Sequence, residues 1–258
     1  MKPLIAKIKP ASGYAQFVHL GFNLLLPLVV FILVRINFVQ LALAVILLSK
    51  WRMFAVRPRF WPTNIRANAV DLIVGISLLL FMTHSGSQFV QFGWVVAYGL
   101  WLVLLKPGSS IFLVSAQAMA GLLFGLVALF LAWTSGPLYG LVFSSGLICY
   151  LAARHFFDSF DEPYAKLLSY TWGYFAAGLL WVLGHWLISF PHPESTLLPQ
   201  PVVILLVVGF GLGGLYYLEH VQRLAKLFKM EFAFVVSLTV VAMIVYLMLD
   251  VARVRGGV

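Results

Sequence analysis

The stretch that decides the fold runs from Ser110 to Trp133 and reads SIFLVSAQAMAGLLFGLVALFLAW. None of its side chains is charged. At about 1.5 Å per residue, a helix of this length crosses the roughly 30 Å hydrocarbon core of a bilayer. Lipid offers the backbone no hydrogen-bonding partner, and a helix satisfies its own N–H and C=O groups. The stretch therefore predicts a transmembrane helix.

The whole chain has the same character. Hydrophobic residues make up 62% of the 258 residues and charged residues 10%, compared with about 45–50% and about 25% in ordinary soluble domains. A soluble protein of this length could not bury so much apolar surface. We predict an all-α, polytopic transmembrane helix bundle, with residues 1–258 forming a single integral membrane domain. The expected location is the plasma membrane, which is the inner membrane in a prokaryote.

The apolar runs are separated by short polar or turn-forming segments, and they predict about nine spans, within a range of eight to ten. The second run is short for a bilayer and is also compatible with a re-entrant hairpin. The predicted spans are Tyr14–Val34, Ile36–Ser49, Ala67–Thr83, Gln88–Leu105, Ser110–Trp133, Pro137–Ala153, Ala165–Ser189, Pro201–Leu218 and Phe232–Leu249.

Basic residues predict the orientation, because cytoplasmic loops of membrane proteins carry an excess of Lys and Arg. The segment from Lys50 to Arg66 holds five basic residues and no acidic one. With nine spans and a cytoplasmic N-terminus, 14 of the 17 basic residues fall on the cytoplasmic side and only Arg35, Arg253 and Arg255 fall outside. We therefore predict a cytoplasmic N-terminus and an external C-terminus.

The net charge of +9 could suggest a nucleic-acid partner, but the basic residues flank apolar runs and no soluble domain is available to bind a duplex. Anionic lipid headgroups are the expected partners of these charges. The segment from Lys50 to Arg66 is also a possible docking site for a protein partner.

Polar side chains inside the apolar runs are costly, so they are the first candidates for function. In the first span they follow one helical face, and a second polar face begins just before the third span. These faces predict a pocket that opens to the cytoplasm. The alternative is hydrogen bonding between the two spans, with Asp71 paired to a basic residue such as Arg66 or Arg52. The two faces comprise Gln16, His19, Asn23 and Pro27, and Asn64, Asn68, Asp71 and Gly75.

The segment between the sixth and seventh spans is a candidate metal site. His155, Asp158 and Glu162 share helical spacing, and such a face can bind a divalent cation such as Mg²⁺. The alternative is helix capping together with ion pairs to Arg154 and Lys166, because Asp and Glu followed by Pro are typical of a helix start.

Three functions fit this pattern. The first is a small transporter, or a binder of an amphipathic small-molecule or lipid substrate, with a polar pocket at the cytoplasmic side. The second is a membrane enzyme acting on lipid-linked phosphates with Mg²⁺, and the third is a structural subunit of a larger membrane complex. No sequence motif identifies a catalytic residue. The candidate binding residues are His19, Asn23, Arg52, Arg57, Arg59, Asn64, Arg66, Asn68 and Asp71.

Overall fold

The computed structural model of the chain describes residues 14–133, 136–186 and 200–221. All regular secondary structure in these ranges is helical. Two short 3-10 turns precede α3, and a π-helical turn continues α5. The elements are α1 Tyr14–Arg35, α2 Val39–Leu48, the 3-10 turns Trp51–Met53 and Pro58–Phe60, α3 Trp61–Ala67, α4 Ala69–His84, α5 Gln88–Leu100, the π turn Trp101–Leu105, α6 Ile111–Ala132, α7 Leu138–Asp158, α8 Ala165–Trp186 and α9 Gln200–Val221.

Four helices in the described ranges are long and apolar enough to cross a membrane, and there are five if α3 and α4 form one broken span. These helices confirm the all-helical prediction and are compatible with an integral membrane protein. Each of the first eight predicted spans overlaps an α-helix of the structure, although not every one of these helices is long enough to cross a bilayer. The ninth, Phe232–Leu249, lies outside the described residues. The four helices are Gln88–Leu105, Ile111–Ala132, Leu138–Asp158 and Pro201–His220.

The second predicted span is a short helix that folds back along α1. Asn37 adopts a left-handed conformation with φ of 60°, which asparagine tolerates better than most residues. This residue ends α1 and allows the chain to reverse into α2, which buries Ala42 and Ile46. At about 1.5 Å per residue, the ten residues of α2 cover only about half of a bilayer core.

The third predicted span is broken, which corrects the expectation of one continuous helical face from Asn64 to Gly75. α3 and α4 meet at Asn68 with a bend of 60°. The Asn68 side chain donates a hydrogen bond to the Asn64 carbonyl at 2.9 Å. Such a side-chain hydrogen bond competes with the backbone hydrogen bonds of a helix, which is why asparagine favours helix ends. Asn64 therefore lies on α3, while Asp71 and Gly75 lie on α4.

The helices bury two apolar cores, and α6 contributes to both. The first lies among α1, α2, α4 and α5, around Leu78 and Tyr98. The second lies among α6, α7, α8 and α9, around Leu126 and Leu180. The loops that join α2 to α4 and α5 to α6 meet at one end of the bundle, which we call the Asp71 end.

Candidate functional site

A carboxylate shared by two lysines lies at the Asp71 end. Asp71 belongs to the first turn of α4, and its side chain is only 11% exposed. The Lys50 ammonium donates a hydrogen bond to Asp71 Oδ2, and Lys106 Nζ lies 3.0 Å from the same oxygen. Trp101 Nε1 donates to the other oxygen, Oδ1, at 2.8 Å. Two segments that are distant in sequence, one with Lys50 and the other with Trp101 and Lys106, therefore converge on the Asp71 side chain.

The π turn after α5 supplies two of these three groups. The Lys106 backbone N–H donates to the Trp101 carbonyl at 2.8 Å, which is the five-residue spacing of a π-helix. Such turns are frequent at functional sites. Here the turn holds Trp101 and Lys106 so that both side chains contact Asp71.

A buried glutamine fixes the loop that follows the π turn. Gln117, on α6, donates its side-chain amide to the carbonyls of Leu105 and Gly108. Its carbonyl oxygen lies 2.9 Å from His155 Nε2 on α7. The loop that carries Lys106 is therefore tied to two further helices.

The cluster of Lys50, Asp71 and Lys106 has a net charge of +1, because two ammonium groups share one carboxylate. Lys50 is only 6% exposed and Lys106 is 36% exposed. Burial lowers the pKa of the Lys50 ammonium to about 8, and the Asp71 carboxylate opposes this shift. Because Lys50 is buried against Asp71, Lys106 is the cation that is more accessible to a ligand.

A cavity of about 820 Å³ adjoins the cluster. Its polar wall contains both lysines and three asparagine side chains, and the rest of its wall is apolar. A cavity of this character suits a molecule with an anionic end and an apolar body. The polar residues are Asn23, Ser49, Lys50, Asn64, Asn68 and Lys106, and the others are Phe22, Leu25, Leu26, Val29, Val45, Trp51, Met53 and Leu102.

The structure brings four of the predicted binding residues to this region. Asn23, Asn64 and Asn68 line the cavity, and Asp71 lies beside it through Lys50 and Lys106. The alternative paired Asp71 with a basic residue, and the structure shows two such partners in the described residues, Lys50 and Lys106. Neither is one of the two arginines given as examples.

The predicted arginines are more dispersed. Arg57 and Arg59 are exposed, and the Arg59 guanidinium lies over the Phe60 ring at 4.5 Å. Arg66 is 3.8 Å from Asp158 on α7. The side chains of Arg52 and His19 lie outside the described part of the structure.

The three predicted metal ligands have separate protein partners. His155 contacts Gln117, Asp158 pairs with Arg154 at 3.0 Å, and Glu162 accepts a hydrogen bond from the Tyr216 hydroxyl. That hydrogen bond holds the pKa of Glu162 below its usual value. In the described ranges, no group of three or more His, Cys, Asp or Glu side chains is placed to hold a metal ion.

Comparison with protein-family profiles, with curated proteins and with solved structures found no match. The function is therefore argued from the site alone.

Proposed function

We propose that the chain binds an amphipathic anion in the cavity beside Asp71, as a substrate binder or small transporter of the membrane. The observation that carries this proposal is the cluster of Lys50, Asp71 and Lys106. One carboxylate cannot neutralise two ammonium groups, and the more exposed ammonium lines the cavity. A ligand carboxylate or phosphate would supply the missing negative charge.

The shape of the cavity supports an apolar body for this ligand. Its volume of about 820 Å³ lies within the range of about 300–1,000 Å³ usual for small-molecule sites. Phe22 and Leu25 of α1 line it and are 66% and 51% exposed. In a membrane, these exposed side chains face hydrocarbon, so a ligand with an alkyl chain can enter from the bilayer.

We further propose that the Asp71 end faces the cytoplasm, in a protein with nine spans and a cytoplasmic N-terminus. Contacts at this end support the proposal. Lys106 reaches Asp71, and both Arg66 and Arg154 reach Asp158. Arg35, which the charge count assigned to the outside, lies before α2, whereas Lys50 follows it, so the length of this helix separates the two residues. The segregation of cations follows the positive-inside rule.

Binding of dodecyl phosphate to the protein in a non-ionic detergent tests the proposal, with dodecanol as the uncharged comparison. Trp51 lines the cavity, so its fluorescence can report binding. We expect dodecyl phosphate to bind and dodecanol to bind at least tenfold more weakly. Lys106→Gln removes one charge-assisted contact worth about 1.5–3 kcal/mol and should weaken binding by roughly tenfold or more.

Arg35→Gln is the matched control, because it removes the same charge from an exposed position outside the cavity. It should leave the affinity unchanged. Equal binding of dodecanol and dodecyl phosphate, together with equal affinity of the Lys106→Gln and Arg35→Gln variants, would refute the proposal. Uptake of the bound anion into proteoliposomes separates a transporter from a binder. Release of inorganic phosphate on addition of Mg²⁺ would instead favour the enzyme of lipid-linked phosphates.

A further inference from the structure

A second cluster with excess positive charge lies where α3 meets α7. Arg154 Nη2 is 3.0 Å from one oxygen of Asp158, and Arg66 Nη2 is 3.8 Å from the other. The Asp158 carboxylate is therefore the shared ion-pair partner of two guanidinium groups. The Asp158 side chain is 43% exposed, so the outer side of the cluster is open.

The two guanidinium groups have too few acceptors. Arg66 Nε, Arg154 Nε and Arg154 Nη1 are buried and find no hydrogen-bond acceptor among the residues that the structure describes. A buried N–H without an acceptor is destabilising, and more so when it is charged. The cluster thus needs a group with several anionic oxygens, and a phosphate matches the planar fork of arginine.

An apolar strip of α7 leads away from this cluster. Phe143, Leu147, Tyr150 and Arg154 follow one another at helical spacing and lie on one face. Phe143 is 71% exposed and Leu147 is 44% exposed. The Tyr150 ring, between Leu147 and Arg154, stacks on Tyr170 of α8 with ring centroids 4.8 Å apart. A molecule bound by the arginines can therefore lay an acyl chain along this face.

We propose that Arg66 and Arg154 bind the phosphate headgroup of an anionic diacyl lipid, whose chains pack along the Phe143–Tyr150 face of α7. The charge excess calls for an anion, and the adjoining exposed apolar face selects a lipid over free phosphate. Basic recesses between membrane helices are known binding sites for such headgroups. The site is separate from the cavity beside Asp71, and this proposal does not rest on the proposed function. In the absence of lipid, Asp158 pairs with both arginines, so its carboxylate competes with the headgroup for them.

The test compares phosphatidylglycerol with phosphatidylcholine, each added to the full-length protein in a non-ionic detergent. Native mass spectrometry measures the bound lipid. Arg66→Gln should weaken phosphatidylglycerol binding at least fivefold while leaving phosphatidylcholine binding unchanged. Arg35→Gln is the control, because it removes the same charge from an exposed arginine at the end of α1. Inorganic phosphate at equal concentration should not displace the lipid.

A second variant tests the competition directly. Asp158→Asn removes the competing negative charge and should raise the affinity for phosphatidylglycerol several-fold. The proposal is overturned if Arg66→Gln and Arg35→Gln weaken binding equally, if inorganic phosphate displaces the lipid, or if Asp158→Asn lowers the affinity. Arg66 is 36% exposed, so its replacement should preserve folding and keep the comparison decisive.

Discussion

Replacing Asp71 with asparagine should strongly destabilise the protein. Lys50 is 6% exposed, so its ammonium group cannot regain water when the carboxylate is lost. Removing one partner of a buried ion pair typically costs about 3–5 kcal/mol. The asparagine oxygen can still accept the Trp101 hydrogen bond, which favours the lower end of that range. At about 2–4 °C per kcal/mol for chains of 150–250 residues, the melting temperature should fall by on the order of 10 °C.

The same substitution should make stability depend on pH. In the wild-type protein, burial lowers the pKa of Lys50 to about 8 and Asp71 opposes the shift, so without Asp71 the pKa falls further. A folded-state pKa below the unfolded value of about 10.4 means that the unfolded chain binds more protons between the two values. Stability then rises with pH across that window. For Asp71→Asn the rise should therefore begin at a lower pH than in the wild type, where it is centred at about pH 8 and above.

Melting followed by intrinsic tryptophan fluorescence in a non-ionic detergent, from pH 6 to pH 9.5, measures both effects. The double variant Lys50→Met/Asp71→Leu is the control. Replacing a buried ion pair with apolar side chains is often neutral or stabilising. Because the Trp101 N–H also loses its acceptor in this variant, the variant should recover part of the lost stability and should lose the pH dependence that comes from Lys50. Lys106 loses its partner in this variant but is partly exposed and keeps its hydration. If Asp71→Asn melts within about 2 °C of the wild type at pH 7, the reasoning is contradicted.

Three further outcomes are expected, each measured as a melting temperature. Gly173→Ala places a Cβ 2.9 Å from the carbonyl oxygen of Gly146 and should cost about 1–3 kcal/mol. Gly178→Ala, on the same helix, has open space and should be neutral or stabilise by up to about 1 kcal/mol, because alanine is the better helix former. Equal effects of the two substitutions would refute the close packing. Gln117→Leu leaves the Leu105 and Gly108 carbonyls without their side-chain donor and should cost about 1–3 kcal/mol; an unchanged melting temperature would contradict its role in fixing the loop. The pKa of Glu162 is held down mainly by the Tyr216 hydroxyl, so this contribution to stability is present above the ordinary pKa of about 4.3 and is lost as pH falls through the depressed value. Tyr216→Phe should reduce that acid sensitivity, and identical pH profiles would exclude the contribution.

The sequence was sufficient to predict where the longer apolar helices of the described ranges lie, because apolar length is a local property, but it did not predict the short helix α3, which lies in the basic segment. It also predicted that Asn23 and Asn64 belong to one polar region, and the structure places both on the wall of the same cavity. It did not reveal the break at Asn68. Asparagine is compatible with a helix interior as well as a helix end, and the side-chain hydrogen bond to Asn64 decides between them here.

The partners of Asp71 were not predictable from the sequence. Lys50 lies 21 positions away and Trp101 lies 30 positions away, so their approach depends on how α2, α4 and α5 pack. Several basic residues, among them Lys50, Arg52 and Arg66, lie within 21 positions of Asp71, and position along the chain does not show which of them the fold brings to the carboxylate. The position of Lys50, directly after the apolar run of α2, was a usable signal for an ion pair. A charged side chain that begins close to hydrocarbon is stabilised by a nearby acid.

The π turn from Trp101 to Leu105 makes the ion cluster depend on the number of residues in that segment. Deleting one residue there would convert the turn to an ordinary α-helix and rotate everything after it by about 100°. Lys106 would then point away from Asp71 even though no side chain of the cluster had changed. A one-residue difference in length between Tyr98 and Gly108 would therefore separate chains that can form this ion pair from chains that cannot.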